Sequence, residues 1–239
     1  MRIIKKMGVM LLALCMFGTL FVFQSKGLVA KAEELSPVHL YFTNTYTGHL
    51  GETNLSVYAQ IKSLGDNEKV SIWALTGETN YWREIPGAKF TKLPDGTDLW
   101  KVDVMSLGPV KYAIKYEVNG KTYWDNNNGQ NYTQNNVLGT ANIKVNKLPY
   151  LINGAYPIVA TVKNLGYEKV VKVRYTLDNW KTFKEANLSY KSSNDDNTEV
   201  WQTTIENVNM DGFQYAVSYE VNGQVYWDNC FGQNYTYTR

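Results

Sequence analysis

An internal duplication constrains the fold of this chain more than any other feature. Residues 123–132 read YWDNNNGQNY, and residues 226–235 read YWDNCFGQNY, a spacing of 103 residues. The segment YEVNG also occurs twice, starting at residue 116 and again at residue 219. Two copies are too few for a solenoid, so each copy of about 100 residues must bury a core of its own.

Short runs of alternating apolar and polar residues, which are typical of strands with one solvated face, occur in both copies. Residues 112–116 and 215–219 lead into Asn-Gly pairs, the strongest short hairpin signal, because a type I′ turn needs two residues with positive φ. No stretch after residue 32 has a helical period. We therefore predict an all-β chain of two tandem immunoglobulin-like β-sandwich modules, residues 33–139 and 140–239.

The first 32 residues resemble an export signal rather than part of the fold. Three basic residues (Arg2, Lys5 and Lys6) precede an uncharged apolar run of 16 residues, and Ala30–Ala32 fits the small-x-small cleavage rule. A membrane span needs about 20 apolar residues, which is more than this run provides. We predict a secretory signal peptide over residues 1–32, no membrane span, and a secreted protein, either free or associated with the cell surface.

Charge and cysteine content exclude several classes of partner. The predicted signal holds five of the 24 basic residues, which leaves 19 basic against 22 acidic residues in the remainder. This balance predicts no nucleic-acid partner. Only Cys230 remains after the signal, so neither an internal disulfide nor a cysteine metal site is expected.

Catalysis has little support in the sequence. The two histidines, His39 and His49, lie in the first copy and have no counterpart in the second. The acids that repeat in both copies follow a tryptophan (Asp125, Asp228) or lead into a hairpin turn, and a structural role explains them better than a glycosidase pair. We predict no catalytic residues, no cofactor and no metal, since the acids are too few for a calcium loop.

The repeated motif places an aromatic residue beside a dense group of amides. The apolar face of a sugar stacks on an indole ring, and amide groups pair with its hydroxyls. The alternative is structural, because strand tryptophans are usually core and Asn-Gly clusters are usually turns. Alternation puts neighbouring side chains on opposite faces, which predicts exposed Trp124 and Trp227 and buried Tyr123 and Tyr226.

The other tryptophans divide by local sequence. Trp82 and Trp180 lie in polar turns and are interpreted as equivalent ligand contacts, because an exposed loop tryptophan is costly without a use. Trp100 and Trp201 begin alternating strands and are predicted to be core. Trp73 would face water, either as an extra contact or as cover for a sheet edge.

Two segments resemble a known family. Residues 124–132 (WDNNNGQNY) and residues 171–183 (VKVRYTLDNWKTF) are similar to the signature blocks of carbohydrate-binding module family 21, the starch-binding domains. The resemblance implies eight-stranded sandwiches that bind α-1,4-glucans such as starch, amylose or glycogen without catalysis. The family's main site would map onto tryptophans and amides at Trp82, Trp124, Asn126 and Asn131 in copy one, and at Trp180, Trp227, Asn229 and Asn234 in copy two.

The family's second site maps less evenly. Copy two matches it with Asn164, Tyr167 and Lys169, whereas copy one has Ser63, Asp66 and Glu68 at those places. A further departure is Cys230, which replaces the second asparagine of the motif. Asn131 and Asn234 also fit the N-glycosylation pattern, but a role as hydroxyl partners explains the amides better.

The function predicted from the sequence is therefore non-catalytic binding of starch, amylose, glycogen or maltodextrins, with secreted amylases or cell-surface proteins as further partners. The main alternative is an adhesin or a module for a different polysaccharide. A third reading is an accessory part of an amylolytic enzyme system, and a fourth is an enzyme acting on α-glucans.

Overall fold

The computed structural model describes residues 36–79, 81–146, 155–206, 208 and 213–236. Every regular element within these ranges is a β-strand, and all strand pairs are antiparallel. In the described part of the chain, no helix has the length and hydropathy that crossing a membrane requires. The predicted signal peptide lies outside the described residues.

Nine strands from the first copy form two facing sheets. One sheet has the order β1-β2-β6-β5, and the other has the order β4-β3-β7-β8, with β9 also pairing with β7. The strands are β1 (Val38–Thr47), β2 (Thr53–Ile61), β3 (Lys69–Leu75), β4 (Arg83–Pro86), β5 (Ala88–Lys92), β6 (Asp98–Ser106), β7 (Lys111–Val118), β8 (Lys121–Asp125) and β9 (Tyr132–Thr133).

The second copy repeats this arrangement strand for strand. Its sheets have the orders β10-β11-β15-β14 and β13-β12-β16-β17, with β18 pairing with β16. The all-β sandwich fold predicted from the sequence is confirmed. The strands are β10 (Ile143–Val145), β11 (Tyr156–Lys163), β12 (Lys169–Thr176), β13 (Lys184–Asn187), β14 (Ser189–Ser193), β15 (Thr198–Ile205), β16 (Gln214–Val221), β17 (Gln224–Asp228) and β18 (Tyr235–Thr236).

Each sandwich has its own apolar core between its two sheets. Alternate residues of the central strands point inward, and the largest buried side chains include Tyr112 and Tyr116 in the first core and Tyr215 and Tyr219 in the second. Trp100 packs against the first core, and Trp201 packs against the second in the same way. The two tryptophans predicted to be core are therefore half-buried at the margins of the two cores.

The two Asn-Gly hairpins have the predicted geometry. Asn119 and Gly120 have φ angles of 51° and 72°, and Asn222 and Gly223 have the same two values. The side-chain amide of Asn222 also donates to the backbone carbonyl of Leu165 over 2.9 Å, as Asn119 does to its equivalent over 3.3 Å. Each hairpin asparagine thus fixes both its own turn and the loop that precedes the neighbouring strand.

A strand changes sheets at Gly87 in the first sandwich and at Leu188 in the second. The backbone N–H of each residue donates over 2.8 Å to an equivalent carbonyl, that of Val70 or Val171. A Cβ on Gly87 would meet Cγ2 of Val102 at 2.7 Å, whereas the second sandwich has a leucine at this place. The residue that corresponds to Val102 there is a threonine, so the two copies fill the same crossing with different side chains.

The segment between the sandwiches is bound to the edge of β1. The N–H of Gly139 donates to the carbonyl of Tyr41 over 3.0 Å, and the N–H of Thr140 donates to that of Leu40 over 2.7 Å. A Cβ at residue 139 would overlap the Leu40 carbonyl oxygen, so only glycine fits there. Residues 35–239 belong to one compact unit, in which this segment keeps the sandwiches close together.

Candidate functional site

The acid of each repeated motif anchors the loop that follows it. Asp228 accepts hydrogen bonds from the Tyr235 hydroxyl at 2.8 and 2.9 Å and from the backbone N–H of Val145 at 2.6 Å. Asp125 does the same with Tyr132 and with the N–H of Leu40. These carboxylates join the end of one sheet to the first strand of the other, which is a structural role.

Burial changes the titration of these groups. Burial raises the pKa of the Asp228 carboxyl above its ordinary value, although the Val145 N–H and the Tyr235 hydroxyl favour its charged form. Burial and the adjacent carboxylates raise the pKa of both the Tyr132 and Tyr235 hydroxyls far above the usual range. The tyrosines therefore remain hydrogen-bond donors throughout the neutral pH range.

The amides of the motif shape a tight loop. The side-chain oxygen of Asn126 accepts the N–H of Gly129 over 2.9 Å, and that of Asn229 accepts the N–H of Gly232 over 2.8 Å. Asn131 and Asn234 have positive φ angles of 62° and 59°. Because each Asx turn uses the oxygen of the first asparagine, its NH₂ group is the part left for a ligand.

The exposed aromatic of each motif lies where alternation predicts. Trp124 is 45% exposed and Trp227 is 44% exposed, on β8 and β17 respectively. Their neighbours Tyr123 and Tyr226 turn the other way and pack on Tyr116 and on its equivalent in the second core. Two equivalent strands therefore present an indole to solvent beside an amide-rich loop.

Trp124 has a ring partner on its own sheet, which is Trp73. Their centroids are 6.5 Å apart with an interplanar angle of 52°. Trp73 lies on β3, opposite Glu84 of β4 and Ala113 of β7, on the solvent side of the sheet. We call Trp73 and Trp124 the first aromatic face. Of the two roles left open for Trp73, its contact with Trp124 favours an extension of the aromatic surface.

The second sandwich has an arginine where the first has Trp73. The guanidinium carbon of Arg174 lies 5.2 Å from the ring centroid of Trp227 and 4.8 Å from that of Phe183. Glu185 holds the guanidinium in place, accepting from its Nη2 at 2.7 Å and its Nε at 2.8 Å. We call Phe183, Arg174 and Trp227 the second aromatic face, in which a cation lies against two rings.

Strand register corrects the predicted equivalence of Trp82 and Trp180. Arg83 pairs with Ala74, and Lys184 pairs with Tyr175, at the same positions of the two sheets. The counterpart of Trp82 is therefore Phe183, one residue before Lys184. Pairing tryptophan with tryptophan was wrong because the two loops have equal length but carry their aromatics at different positions. Phe183 was not identified from the sequence, although counting back from the strands would have found it.

The loop tryptophans and the motif tryptophans have different neighbours in the described part of the chain. Among the described residues, Trp82 forms no ring pair with Trp124, and Trp180 forms none with Trp227. Trp82 is 37% exposed, next to the first residue of β4. The ring partners of Trp124 and Trp227 are instead Trp73 and Arg174, and ligand contact by Trp82 and Trp180 stays a prediction.

Trp180 is held firmly in its turn. It has a φ of 67°, its backbone N–H donates to the Thr176 hydroxyl over 2.9 Å, and its indole N–H donates to Gln214 over 2.7 Å. Hydrogen bonds from the backbone and hydroxyl of Thr182 lower the pKa of Asp178 in the same turn to about 2. The half-buried ring is therefore fixed in orientation, with its polar edge already occupied.

Of the three residues predicted for a second site in copy two, Asn164 and Lys169 are in contact. Lys169 donates to Asn164 over 2.5 Å and to Glu199 over 2.8 Å. Tyr167, between them in sequence, is 99% exposed. Burial of Lys169 beside Glu199 gives it a structural role, so the exposed tyrosine is the member most available to a ligand.

The change from Asn127-Asn128 to Cys230-Phe231 has a structural consequence. Phe231 projects from the motif loop of the second sandwich onto the first, where its ring lies 5.9 Å from Phe42, 5.9 Å from Tyr58 and 5.2 Å from Phe90. The loop therefore joins the two sandwiches. Sequence reasoning noted Cys230 but missed the phenylalanine beside it.

Metal ligands were also sought among the described side chains. Within the described ranges, no three His, Cys, Asp or Glu side chains lie close enough together to hold a metal ion. The acids of the two motifs, Asp125 and Asp228, already accept the hydrogen bonds that anchor their loops. What the described surface does present is aromatic rings, amides and hydroxyls.

Two β-sandwiches of antiparallel strands, each with an exposed ring beside an amide loop, are the arrangement expected of carbohydrate-binding modules. The family model described as "Carbohydrate/starch-binding module (family 21)" matches residues 88–135 and 140–238, more than half of the 239 residues. The chain belongs to this family. The second match spans nearly all of the second sandwich, and the first covers the latter part of the first sandwich.

Curated relatives share one segment with this chain. Protein phosphatase 1 regulatory subunit 3B of Mus musculus is 40% identical over 90 residues, and subunit 3C of Bos taurus is 32% identical over 80 residues. The match with subunit 3B covers 34% of this chain and 32% of the relative. The match with subunit 3C covers 31% of this chain and 25% of the relative. The chain thus spans about a third or less of the length of these relatives.

One solved structure similar to this chain is the starch binding domain of Rhizopus oryzae glucoamylase in complex with beta-cyclodextrin and maltoheptaose. It is 27% identical, covers 41% of this chain and 92% of the other, and has a TM-score of 0.36. Another is the carbohydrate binding module of the muscle glycogen-targeting subunit of Protein Phosphatase-1. It is 26% identical, the match covers 39% of this chain and 73% of the other, and the TM-score is 0.35.

Proposed function

We propose that this protein binds α-1,4-glucans, such as starch, amylose, glycogen or maltodextrins, without acting on them chemically. The observation that carries the proposal is the equal exposure of Trp124 and Trp227 at equivalent positions beside amide loops. A sugar ring can stack on each indole while the NH₂ groups of Asn126 and Asn229 donate to its hydroxyls. Membership of a starch-binding family supports glucans as the class of ligand.

Each copy is proposed to be a complete module of the family, residues 33–139 and 140–239, following a signal peptide over residues 1–32. The identical strand orders of the two sandwiches support this division. In the first module, Trp73, Trp82 and Trp124 form the binding surface with Asn131. In the second, the surface consists of Phe183, Trp180 and Trp227 with Asn234, and Tyr167 forms a second site with Asn164 and Lys169.

Two sites on one polymer strengthen one another. A single aromatic face is expected to bind with a Kd of roughly 1 mM to 1 μM. Linked engagement of both modules on one glucan would raise the apparent affinity by about 10² to 10⁴. The short bound connection at Gly139 favours this, since it keeps the modules together without a long flexible linker.

The proposed location is outside the cell, on the strength of the N-terminal sequence, with secreted amylases or cell-surface proteins as further partners. The named relatives are phosphatase regulatory subunits, but their similarity covers only about a third of each chain. We propose that the shared property is polysaccharide binding, and that phosphatase regulation is not retained in an exported chain.

Affinity electrophoresis tests this proposal. Gels cast with glycogen or amylopectin should retard the mature protein, and gels cast with hydroxyethylcellulose should not. Trp124→Ala and Trp227→Ala should each reduce the retardation, and the double variant should abolish it. Tyr190→Ala, which removes another exposed ring far from either motif in sequence, serves as the control. Equal migration with and without glucan would overturn the proposal, and retardation only by the cellulose derivative would favour a module for a different polysaccharide.

A further inference from the structure

A large cleft lies between the two sandwiches, separate from the exposed tryptophans. Its volume is about 800 Å³, within the range of roughly 300–1,000 Å³ typical of small-molecule sites. One side is the outer face of β1 and β2 in the first sandwich. The other side is the motif loop of the second sandwich together with β10 and Asn146. Neither copy alone could form this cleft.

The floor of the cleft is a regular row of cross-strand pairs. Antiparallel pairing of β1 with β2 places side chains of opposite residues next to one another on the same face. Four residues of β1 separate the two ends of the row, which is about 14 Å at the rise of an extended strand. The pairs along the row are Phe42 with Tyr58, Asn44 with Ser56, and Tyr46 with Asn54.

This row alternates the two kinds of group that a glucan requires. The Tyr46 ring stands at one end, and at the other end the rings of Phe42 and Tyr58 are buried beneath Phe231. Amide and hydroxyl groups lie between the two ends. Tyr46 is 56% exposed, and Phe90 of β5 adds a further exposed ring at the other end.

The opposite wall supplies more polar groups. Gln233 comes from the motif loop, and Lys144 and Asn146 come from β10 and its end. The Lys144 ammonium donates to the Asn146 side-chain oxygen over 3.1 Å, and the Asn146 NH₂ group donates to the Thr161 hydroxyl over 3.0 Å. One of the two amide hydrogens of Asn146 is therefore left for a ligand. The wall thus presents hydrogen-bond donors and acceptors to the row. Phe231, which packs on Phe42 and Tyr58, joins the wall to the row at one end of the cleft.

The cleft continues into the second motif. A smaller cavity of about 240 Å³ is lined by Trp227, Asn229 and Phe231, and it shares Phe42 and Phe231 with the larger cleft. The two cavities adjoin at the stacked rings of Phe42 and Phe231, so a polymer bound on Trp227 would reach the row that ends at Tyr46 by crossing the exposed side of Phe231. A short oligosaccharide would occupy only the beginning of this path.

We propose that the cleft between the sandwiches is an extended subsite for an α-glucan chain that enters from Trp227 and runs to Tyr46. The proposal rests on glucan binding at the second motif. It adds a site formed jointly by both copies, and it gives Phe231 a function as the ring over which the chain passes.

The test compares chain lengths in a background that silences the first aromatic face. In the Trp124→Ala protein, titration calorimetry with maltotriose and with maltodecaose measures the gain in affinity with length. Adding Tyr46→Ala should leave maltotriose binding unchanged and weaken maltodecaose binding about tenfold. Tyr46→Phe, which retains the ring, should behave as the parent, and Tyr190→Ala is the control for loss of an exposed tyrosine elsewhere.

The outcomes separate the cleft from the motif. Maltodecaose affinity that is unchanged by Tyr46→Ala, with maltotriose binding intact, overturns the cleft and leaves the proposed function standing. A Trp124→Ala protein that binds neither oligosaccharide overturns the cleft and glucan binding at the second motif, and a wild type that also binds neither overturns the proposed function. Thermal unfolding of each variant checks that the exposed tyrosine can be removed without loss of the fold.

Discussion

Phe231 stacks on Phe42 across the junction of the two sandwiches, with ring centroids 5.9 Å apart and an interplanar angle of 22°. The first copy has Asn128 at the equivalent place in its motif, where it is exposed. A single position of the repeated motif therefore has different roles in the two copies. In the first it belongs to a free loop, and in the second it joins one sandwich to the other.

This contact predicts that Phe231→Asn uncouples the sandwiches. The variant loses the packing against Phe42, Tyr58 and Phe90, while asparagine tolerates the positive φ of 59° better than phenylalanine. We expect a net loss of about 2 kcal/mol, below the range for a fully buried phenylalanine because Phe231 is half-buried. Calorimetry should then resolve two transitions where the wild type has one. Asn128→Ala is the control, and a single unshifted transition in Phe231→Asn would contradict the coupling.

Lys144 predicts a pH dependence of stability. Burial lowers its pKa to about 8, against 10.5 in the unfolded chain. Between these values the unfolded state binds more protons, so stability due to this group rises as the pH increases from 8 toward 10.5. Relative to Lys144→Met, the wild type should gain about 1–2 kcal/mol between pH 7 and pH 9.5, measured by urea unfolding. A difference that is constant across this range would show that Lys144 titrates normally.

The sheet crossing at Gly87 predicts a steric effect. A Cβ there would lie 2.7 Å from Val102 Cγ2 and 2.9 Å from the Lys101 carbonyl oxygen. Gly87→Ala should therefore cost about 1–3 kcal/mol of unfolding free energy through overpacking. Adding Val102→Ala should recover part of that cost, measured as a coupling energy in a double-mutant cycle. Strictly additive effects would mean that the clash with the backbone dominates.

Arg174 predicts a contribution to the second aromatic face. Without its guanidinium, Trp227 and Phe183 lose the group that holds them on one surface. In the Trp124→Ala background, Arg174→Ala should weaken maltoheptaose binding about two- to fivefold. Arg174→Trp, which copies the first face, should restore binding. Equal affinities of the Trp124→Ala protein and its two Arg174 variants would show that Arg174 makes no contribution to binding.

Much of the fold followed from the sequence because its central strands alternate cleanly. Residues 112–116 and their Asn-Gly turn became β7 and its hairpin, and the duplication carried the same reasoning to β16. The strands β4, β5, β13 and β14 were missed. These are edge strands with largely exposed residues, so their pattern is polar and contains no period that marks a strand.

The candidate site was less predictable than the fold. The exposure of Trp124 and Trp227 followed from alternation, and it is confirmed. The neighbours of these rings did not follow, because Trp73 and Arg174 reach them from a strand about fifty residues earlier in the chain. Phe231 was missed for a similar reason, since its contacts lie in the other copy and no local pattern reports them.

The most direct measurement of the central claim is titration calorimetry of the mature protein with maltoheptaose. The account predicts a Kd of roughly 1 mM to 1 μM for the wild type, weaker binding in Trp124→Ala and in Trp227→Ala, and no measurable binding in the double variant. Cellohexaose should give no heat of binding with any of them. A wild type that does not bind maltoheptaose, or a double variant that binds it as tightly as the wild type, would contradict the account.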